Sequence, residues 1–453
     1  MKKHTRITKA AAVFALCVSI SASGACSRQP VKMSEKTAKA SENSHVSETT
    51  KAESSVWKPS GAESESGSEQ SPDVQSSAAS DTSDGSDISQ VSKAPETSVT
   101  PIPGLPDEYN DGGIFSEYYI DAYRYLATMT LDEKIGQMLM SGLPAEDEIE
   151  IARENHLGGY LLFGNDFAYQ TKDQVISKIS SLAISQKVPL CIAVDEEGGD
   201  VTRIGAKKEL SPHEFLSPRE LYKRGGMAYI QSDADEKATL LHELGIDVNL
   251  APVCDISTNK KDFMYSRSLG EDAKTTSEFV RIVTELSQKR GVSVTLKHFP
   301  GYGSNTDTHY GSSVDTRTLE DLKKSDLVPF EAGIKAGAHF VMVSHNIVSC
   351  LDEDKPASMS EKVHELLRKD MGFTGLIITD DLSMGAISKY TSGETPAVAA
   401  VLAGNDIMII SSGMIESSLN SIKAAVQSGK ISEDTINHAA FRILAWKYAK
   451  RMM

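Results

Sequence analysis

The chain has no surplus of positive charge. Its 47 lysines and arginines face 63 aspartates and glutamates, which leaves −16 at neutral pH. Nucleic acid and anionic membrane surfaces are bound through a basic face, so neither is expected as the main partner. Cysteine is also scarce. Cys17 and Cys26 lie near the start, and Cys191, Cys254 and Cys350 are scattered through the rest. That spacing makes no disulfide framework, and no CxxC or Cys/His pattern offers a zinc site. The three later cysteines are therefore expected to be buried thiols, with no metal. The apolar run Ala10 to Ala22 is too short to span a bilayer comfortably. No glycine-rich phosphate fingerprint follows the first strand-like segment, and no cofactor is implied.

At the N-terminus Lys2, Lys3, Arg6 and Lys9 form a basic front, the apolar run follows, and small residues lead to Cys26. This is the layout of an export signal. Residues 1–26 resemble a bacterial lipoprotein signal, which would make Cys26 the lipidated first residue and place the protein on the extracellular face of the cell membrane. Ser23 stands three before the cysteine, where such signals usually carry leucine. Ordinary signal-peptidase cleavage with secretion, or an uncleaved anchor, are the alternatives. Residues 27–101 then change character. From Ser27 to Thr100, 20 of 74 residues are serine and Trp57 is the sole aromatic. Such a segment has too little apolar surface to offset its ordering entropy and is expected to be a disordered tether.

From Ile102 to Met453 the composition is ordinary and the length suffices for one large core. Eight near-continuous apolar runs occur, in IGQMLMSG, GGYLLFGN, PLCIAVDEEGG, DVNLAPVCDI, VSVTLKHFPG, FVMVSHNIV, GLIITDDLS and DIMIISSG. They read as strands covered on both faces. Between them lie segments of helical period, among them DQVISKISSLAISQK, KATLLHELG, TSEFVRIVTELSQKRG and SDLVPFEAGIKAG. Eight βα units in series predict an α/β fold, a (β/α)8 TIM-type barrel forming a single catalytic domain over 102–453. A doubly wound open sheet is the runner-up.

Polar residues gather just past the apolar runs: Asp195, Glu196 and Glu197 after the third, Asp255 after the fourth, Lys297 and His298 after the fifth. His345 follows the sixth, and Asp380 and Asp381 the seventh. In a barrel all would face one mouth, and burying so many charges is costly unless they have work to do there. The richest stretch is LKHFPGYGSNTDTHYG, Leu296 to Gly311, which bends at Pro300, Gly301 and Gly303 and ends with Asp307 and His309 two apart. An aspartate so placed can hold an imidazole by one nitrogen and leave the other to exchange a proton. A carboxylate at a strand end, as at Asp380, can attack an anomeric carbon. Of the paired aspartates, Asp381 before LSMGA suits the N-cap of a following helix. Asp255 suits a loop brace, Glu196 and Glu197 suit bonds to backbone or arginine, and His345 divides evenly between support and ligand contact.

LLRKDMGFTGLIITDDLS resembles the nucleophile signature of glycoside hydrolase family 3, and KHFPGYGSNTDTH resembles the loop of its β-N-acetylhexosaminidase branch. DEEGGDVTR is similar to the third-strand motif that binds the terminal sugar in that branch. The resemblance implies that Asp380 is the nucleophile, His309 the general acid/base and Asp307 its orienting partner. It implies sugar contacts for Asp195, Arg203, Arg267, Lys297 and His298. Asp200 departs from the pattern, standing where relatives commonly have arginine. The implied activity is exo-acting, retaining hydrolysis of terminal β-linked N-acetylglucosamine from muropeptides or chitin-type oligosaccharides. A phosphorylase of the same branch and a catalytically silent surface sugar-binding protein are the alternatives. The barrel alone is expected to build the site.

Overall fold

The computed structural model describes residues 99–304, 307–308, 313–387 and 394–453. The proposed signal with Cys26, nearly all of the tether and His309 lie outside the described residues. Eight of the strands are β1 (Leu139–Gly142), β2 (Gly159–Leu162), β3 (Cys191–Val194), β4 (Val248–Asn249), β5 (Ser293–Phe299), β6 (Phe340–Val343), β7 (Leu376–Thr379) and β8 (Met408–Ile410). They pair in parallel in the order β8-β1-β2-β3-β4-β5-β6-β7. A parallel bridge between Ile378 and Ile407 joins the two ends. There the Thr379 amide donates to the Ile407 carbonyl at 3.0 Å and the Leu382 amide to the Ile409 carbonyl at 2.9 Å. The ring is therefore a (β/α)8 barrel and the open sheet is excluded. Each of the eight predicted runs supplies one strand, in sequence order.

The strands are short apolar segments whose residues are almost all buried, as a sheet enclosed by helices requires. The helices start where side-chain caps allow. Thr171 accepts from the Gln174 amide and opens Lys172–Ala183, and Asp272 accepts from the Thr275 amide and opens Ala273–Lys289. The predicted KATLLHELG helix is the second half of Pro218–Glu243, which kinks at Gly225 and Gly226, where Gly226 has φ 61°. Leu327–Lys335 matches the prediction over SDLVPFEAGIKAG.

Two expectations fail. Residues 382–387 after Asp381 form turns, not a helix, so Asp381 is no N-cap; its carboxylate closes a local turn by accepting from the Ser383 amide at 2.8 Å. The next described helix, Pro396–Ala403, is capped by Thr395. Cys350 is exposed, while Cys191 and Cys254 are buried as expected. It sits just past a two-residue ribbon strand at Ile347–Val348, outside the barrel wall.

The N-terminal end of the barrel is closed by the helix Glu433–Ala449. Its Lys447, wholly buried, donates to the Gln137 side chain at 2.7 Å and to the carbonyls of Gly158 and Pro189 at 3.1 and 2.7 Å. Burial pulls its pKa down to about 8. Trp446 donates to the Ser293 hydroxyl at 3.1 Å, and the same hydroxyl pairs with His339 at 2.8 Å. Burial holds His339 down to about 3, against an ordinary 6.5. The unfolded chain takes up this proton below about 6.5, and the folded chain refuses it until about 3. His339 therefore removes stability as pH falls through that window, by up to about 1.4 kcal/mol per pH unit. A His339→Asn variant should show a shallower loss between pH 6 and 4 in denaturant titrations. Parallel stability curves for variant and parent would refute this.

Candidate functional site

At the C-terminal ends of the strands, the sequence-predicted residues converge on one cavity of about 310 Å³. Asp195, Arg203, Arg267, Lys297, His298, Asp380 and Asp381 line it, with Leu161, Met342, Met384 and Ile409 as an apolar wall. Small-molecule sites have this character, a mostly preformed hollow with a few convergent polar groups.

The floor is built on Lys297, the fifth residue of β5. Its side chain is 2 % exposed and reaches Glu197 at 2.6 Å and Asp195 at 2.7 Å, both just beyond β3. Glu197, 1 % exposed, also accepts two bonds from Arg267, at 2.9 Å from Nε and 2.6 Å from Nη2. Burial alone would raise the Glu197 pKa, but Lys297 and Arg267 outweigh it and hold the carboxyl well below the usual range. Burial opposes the charge on Lys297, and Asp195 and Glu197 more than restore it. Arg203 meets the other oxygen of Asp195 at 3.5 Å and lies 5.7 Å from the Phe163 ring centre. Glu196 points away from the cavity. It accepts from the amides of Arg203 and Ile204 at 2.8 and 2.7 Å and from the Thr202 hydroxyl, which shapes the loop that carries Arg203.

His298 is held from below. Asp255 accepts from its Nδ1 at 2.7 Å and from its amide at 3.2 Å. With Nδ1 engaged, Nε2 is left on the cavity side, 3.3 Å from Arg267. The other Asp255 oxygen accepts from the Tyr302 amide at 2.7 Å, so Asp255 does brace the loop after β5. The peptides Lys297–His298 and Phe299–Pro300 are cis.

Asp380 stands at the end of β7, and its amide donates to the Val343 carbonyl at 3.1 Å. Burial acts against its charge. His345 and His298 nearby, with an amide bond from Asp381 at 2.8 Å, reverse that and hold its pKa below the ordinary carboxylate value. Asp380 is thus an anion at neutral pH with a free face on the cavity. His345 is buried, bonded through Nδ1 to the Ser358 hydroxyl at 2.8 Å and through Nε2 to the Asp381 carbonyl at 3.0 Å, which places it in support of the aspartate pair.

Asp307 is half-buried on the loop beyond Tyr302 and is not among the residues lining the cavity. His309, its proposed partner, lies outside the described residues. Asp200 is exposed at the tip of the Gly198–Val201 turn. Sequence reasoning gave no role to Phe163, which lies 40 % exposed at the end of β2 and lines the mouth. An aromatic next to the strand-ending LL of GGYLLFGN was the available signal.

The fold and this mouth define a (β/α)8-barrel protein with paired acids and bases at the C-terminal face. It belongs to glycosyl hydrolase family 3: residues 130–446 match the Glycosyl hydrolase family 3 N terminal domain. The beta-hexosaminidase LpqI of Mycobacterium tuberculosis (strain ATCC 25618 / H37Rv) is 29 % identical over 330 residues, 71 % of this chain and 84 % of that protein. A beta-hexosaminidase of Xylella fastidiosa (strain 9a5c) is 31 % identical over 267 residues, 58 % of this chain and 78 % of its own length. A glycoside hydrolase family 3 beta-N-acetylglucosaminidase from Paenibacillus sp. str. FPU-7 superposes with a TM-score of 0.66 at 32 % identity, covering 72 % of this chain and 63 % of that structure. The M. tuberculosis LpqI structure superposes with a TM-score of 0.65 at 28 % identity, covering 71 % and 95 %.

Glu197 is the anion that two buried cations share. Glu197→Gln should cost about 3–5 kcal/mol of stability, since it leaves Arg267 without its anionic partner and Lys297 with Asp195 alone. It should also raise KM as the two side chains lose their fixed positions. Chemical denaturation and steady-state kinetics would measure both, and a variant with parental stability would show that the cations are not held by this carboxylate.

Proposed function

We propose that this chain is a retaining β-N-acetylhexosaminidase that releases terminal β-linked N-acetylglucosamine. The observation that carries the reading is an ionised Asp380 with an open face on a cavity whose other wall is a cation-carboxylate floor. The support from similarity is that matched relatives bear the names beta-hexosaminidase and beta-N-acetylglucosaminidase.

In this reading the terminal sugar sits in the hollow. Asp195, Lys297, Arg203, Arg267 and His298 bind its polar groups, as alternating acceptors and donors fixed in advance by their own pairing. Asp380 attacks the anomeric carbon and the bond to the leaving oxygen breaks. His309 gives its proton to that oxygen, with Asp307 favouring the imidazolium and fixing the ring. The covalent glycosyl-enzyme is then opened by water as neutral His309 accepts a proton, which retains the anomeric configuration. The substrates we propose are muropeptides or chitin-type oligosaccharides met outside the cell, with the protein carried there by the N-terminal signal and tethered at Cys26.

The decisive comparison is hydrolysis of a chromogenic β-N-acetylglucosaminide and the matching β-glucoside, with and without phosphate, by the parent and by Asp380→Asn. The acetamido sugar alone should be cleaved, phosphate should not accelerate release, and the variant should lose at least about a thousandfold in turnover. Strong stimulation by phosphate would transfer the protein to the phosphorylases. Inertness toward both sugars and toward a muropeptide disaccharide would leave a binding protein. For the anchor, fatty-acid labelling of the full chain should be lost in Cys26→Ala; equal labelling would disprove lipidation there.

A further inference from the structure

We propose that Tyr302 is a positioning residue for this reaction: its hydroxyl pins Thr308, and with it the adjoining Asp307, to the Asp255–His298 pair at the sugar-binding floor. The proposal rests on the hexosaminidase reading and adds to it the part that joins the sugar-facing histidine to the acid/base loop.

The connection is continuous. Asp255 holds His298 through Nδ1 at 2.7 Å with one oxygen, and the Tyr302 amide at 2.7 Å with the other. The Tyr302 ring is buried and stands edge-on to His298, with centroids 5.6 Å apart. Its hydroxyl oxygen accepts from the Thr308 amide at 3.2 Å and is bonded to the Thr308 hydroxyl as well. Thr308 is fully buried beneath the loop, while its neighbour Asp307 is half-buried. Thr308 is thus the point at which the loop is fastened, through both its main chain and its side chain.

Packing does not account for the hydroxyl. The Tyr302 ring lies in a small apolar cluster with Val253 and Met264, and its centroid is 5.6 Å from that of Phe263. A phenylalanine would fill the same space without a polar atom to satisfy. A buried phenol needs a partner, and here both of its bonds go to one residue of the loop. Burial also pushes the phenol up from its ordinary pKa, so it remains a neutral donor and acceptor across the working range. Gly301 and Gly303, at φ 119° and 58°, turn the chain through bends that carry no side chain of their own.

The consequence is selective. Fastening the loop at Thr308 serves the proposed acid/base step, and that step matters only when the leaving group needs a proton. It should leave the sugar floor and Asp380 alone. The test uses the full chain and compares kcat/KM, which reports the first bond-breaking step, on two substrates. The reducing-end sugar of di-N-acetylchitobiose would leave as an alkoxide unless protonated, whereas the 2,4-dinitrophenolate of 2,4-dinitrophenyl N-acetyl-β-glucosaminide leaves without a proton. Tyr302→Phe should lower kcat/KM on the disaccharide by at least about tenfold, within the range of general acid catalysis, and change it by less than about twofold on the aryl substrate. Thr308→Val should reproduce that split, and Thr308→Ser, which keeps the hydroxyl, should restore the disaccharide rate. Should Tyr302→Phe prove too unstable to assay, the Thr308 pair carries the same comparison. An equal fall on both substrates, or no fall on either, overturns the proposal. Asp380→Asn is run beside them: if it keeps activity on the aryl substrate, the assignment of Asp380 as nucleophile fails, and if the parent cleaves neither substrate the hexosaminidase reading itself fails, whatever Tyr302 does.

Discussion

Two cations sharing one buried carboxylate set the frame of the mouth. Glu197 accepts from Lys297 on β5 and from Arg267 in the loop after β4, and Lys297 also reaches Asp195. Each of these charges would be expensive to bury alone. Together they form an interleaved set in which every charge has an opposite neighbour within 3 Å. The set is in turn held by the barrel wall. Lys237, on the helix Pro218–Glu243, donates to the Glu197 carbonyl at 3.1 Å and pairs with Asp233 at 3.0 Å. The helix that covers β3 and β4 thus fixes the backbone from which the central carboxylate projects. Because two loops and a strand meet at one group, none can shift without disturbing a charge pair in a dry place.

A second carboxylate does related work for the histidine. Asp255 accepts a hydrogen bond from His298 Nδ1, which turns Nε2 to the cavity. Its other oxygen begins the path to Tyr302. The floor and the loop after β5 therefore share a foundation, though one is rigid strand end and the other a glycine-bent excursion. On the proposed mechanism proton transfer belongs to such an excursion, while the proposed nucleophile Asp380 stands at the end of β7. The nucleophile must stay within bonding distance of one carbon. The acid/base must serve a leaving group first and a water molecule afterwards.

Most of the barrel was legible because its strands are covered on both faces, so LLF, CIAV, FVMV and LIIT stand out as apolar runs with polar ends. β4 was the least legible, since only Val248 and Asn249 pair as a strand and the rest of DVNLAPVCDI bends through Pro252. The charged residues past the runs were readable as a mouth from topology alone. Their partners were not. That Glu197, and not Glu196, carries Lys297 and Arg267 depends on which of two adjacent side chains turns inward after Asp195. Glu196 turns to cap the amides of Arg203 and Ile204. Asp381 failed as an N-cap for a related reason. A lone Asp before LSMGA satisfies a tight turn as readily as a helix start, and the turn wins here. Cys350 misled because it follows an apolar pair, Ile347–Val348, that forms a small outer ribbon instead of a barrel strand.

The balance of charge in the mouth also bears on what it accepts. Arg203, Arg267 and Lys297 are offset by Asp195, Glu197 and Asp380, so the cavity presents oriented donors and acceptors with little net field. A neutral sugar ring suits that, because its hydroxyls both give and accept, and prearranged partners need no reorganisation when it arrives. An anionic ligand would gain nothing on the floor, since each cation is already engaged. Outside the floor the balance tips. Asp200, on the exposed turn after β3, and Asp381, beside Asp380, add negative charge at the rim. Rim charges act on approach and orientation more than on tight binding, and they are screened by salt. On the proposed reading the terminal sugar is chosen by the buried set, and what trails behind it meets a rim that favours neutral or basic groups over acidic ones.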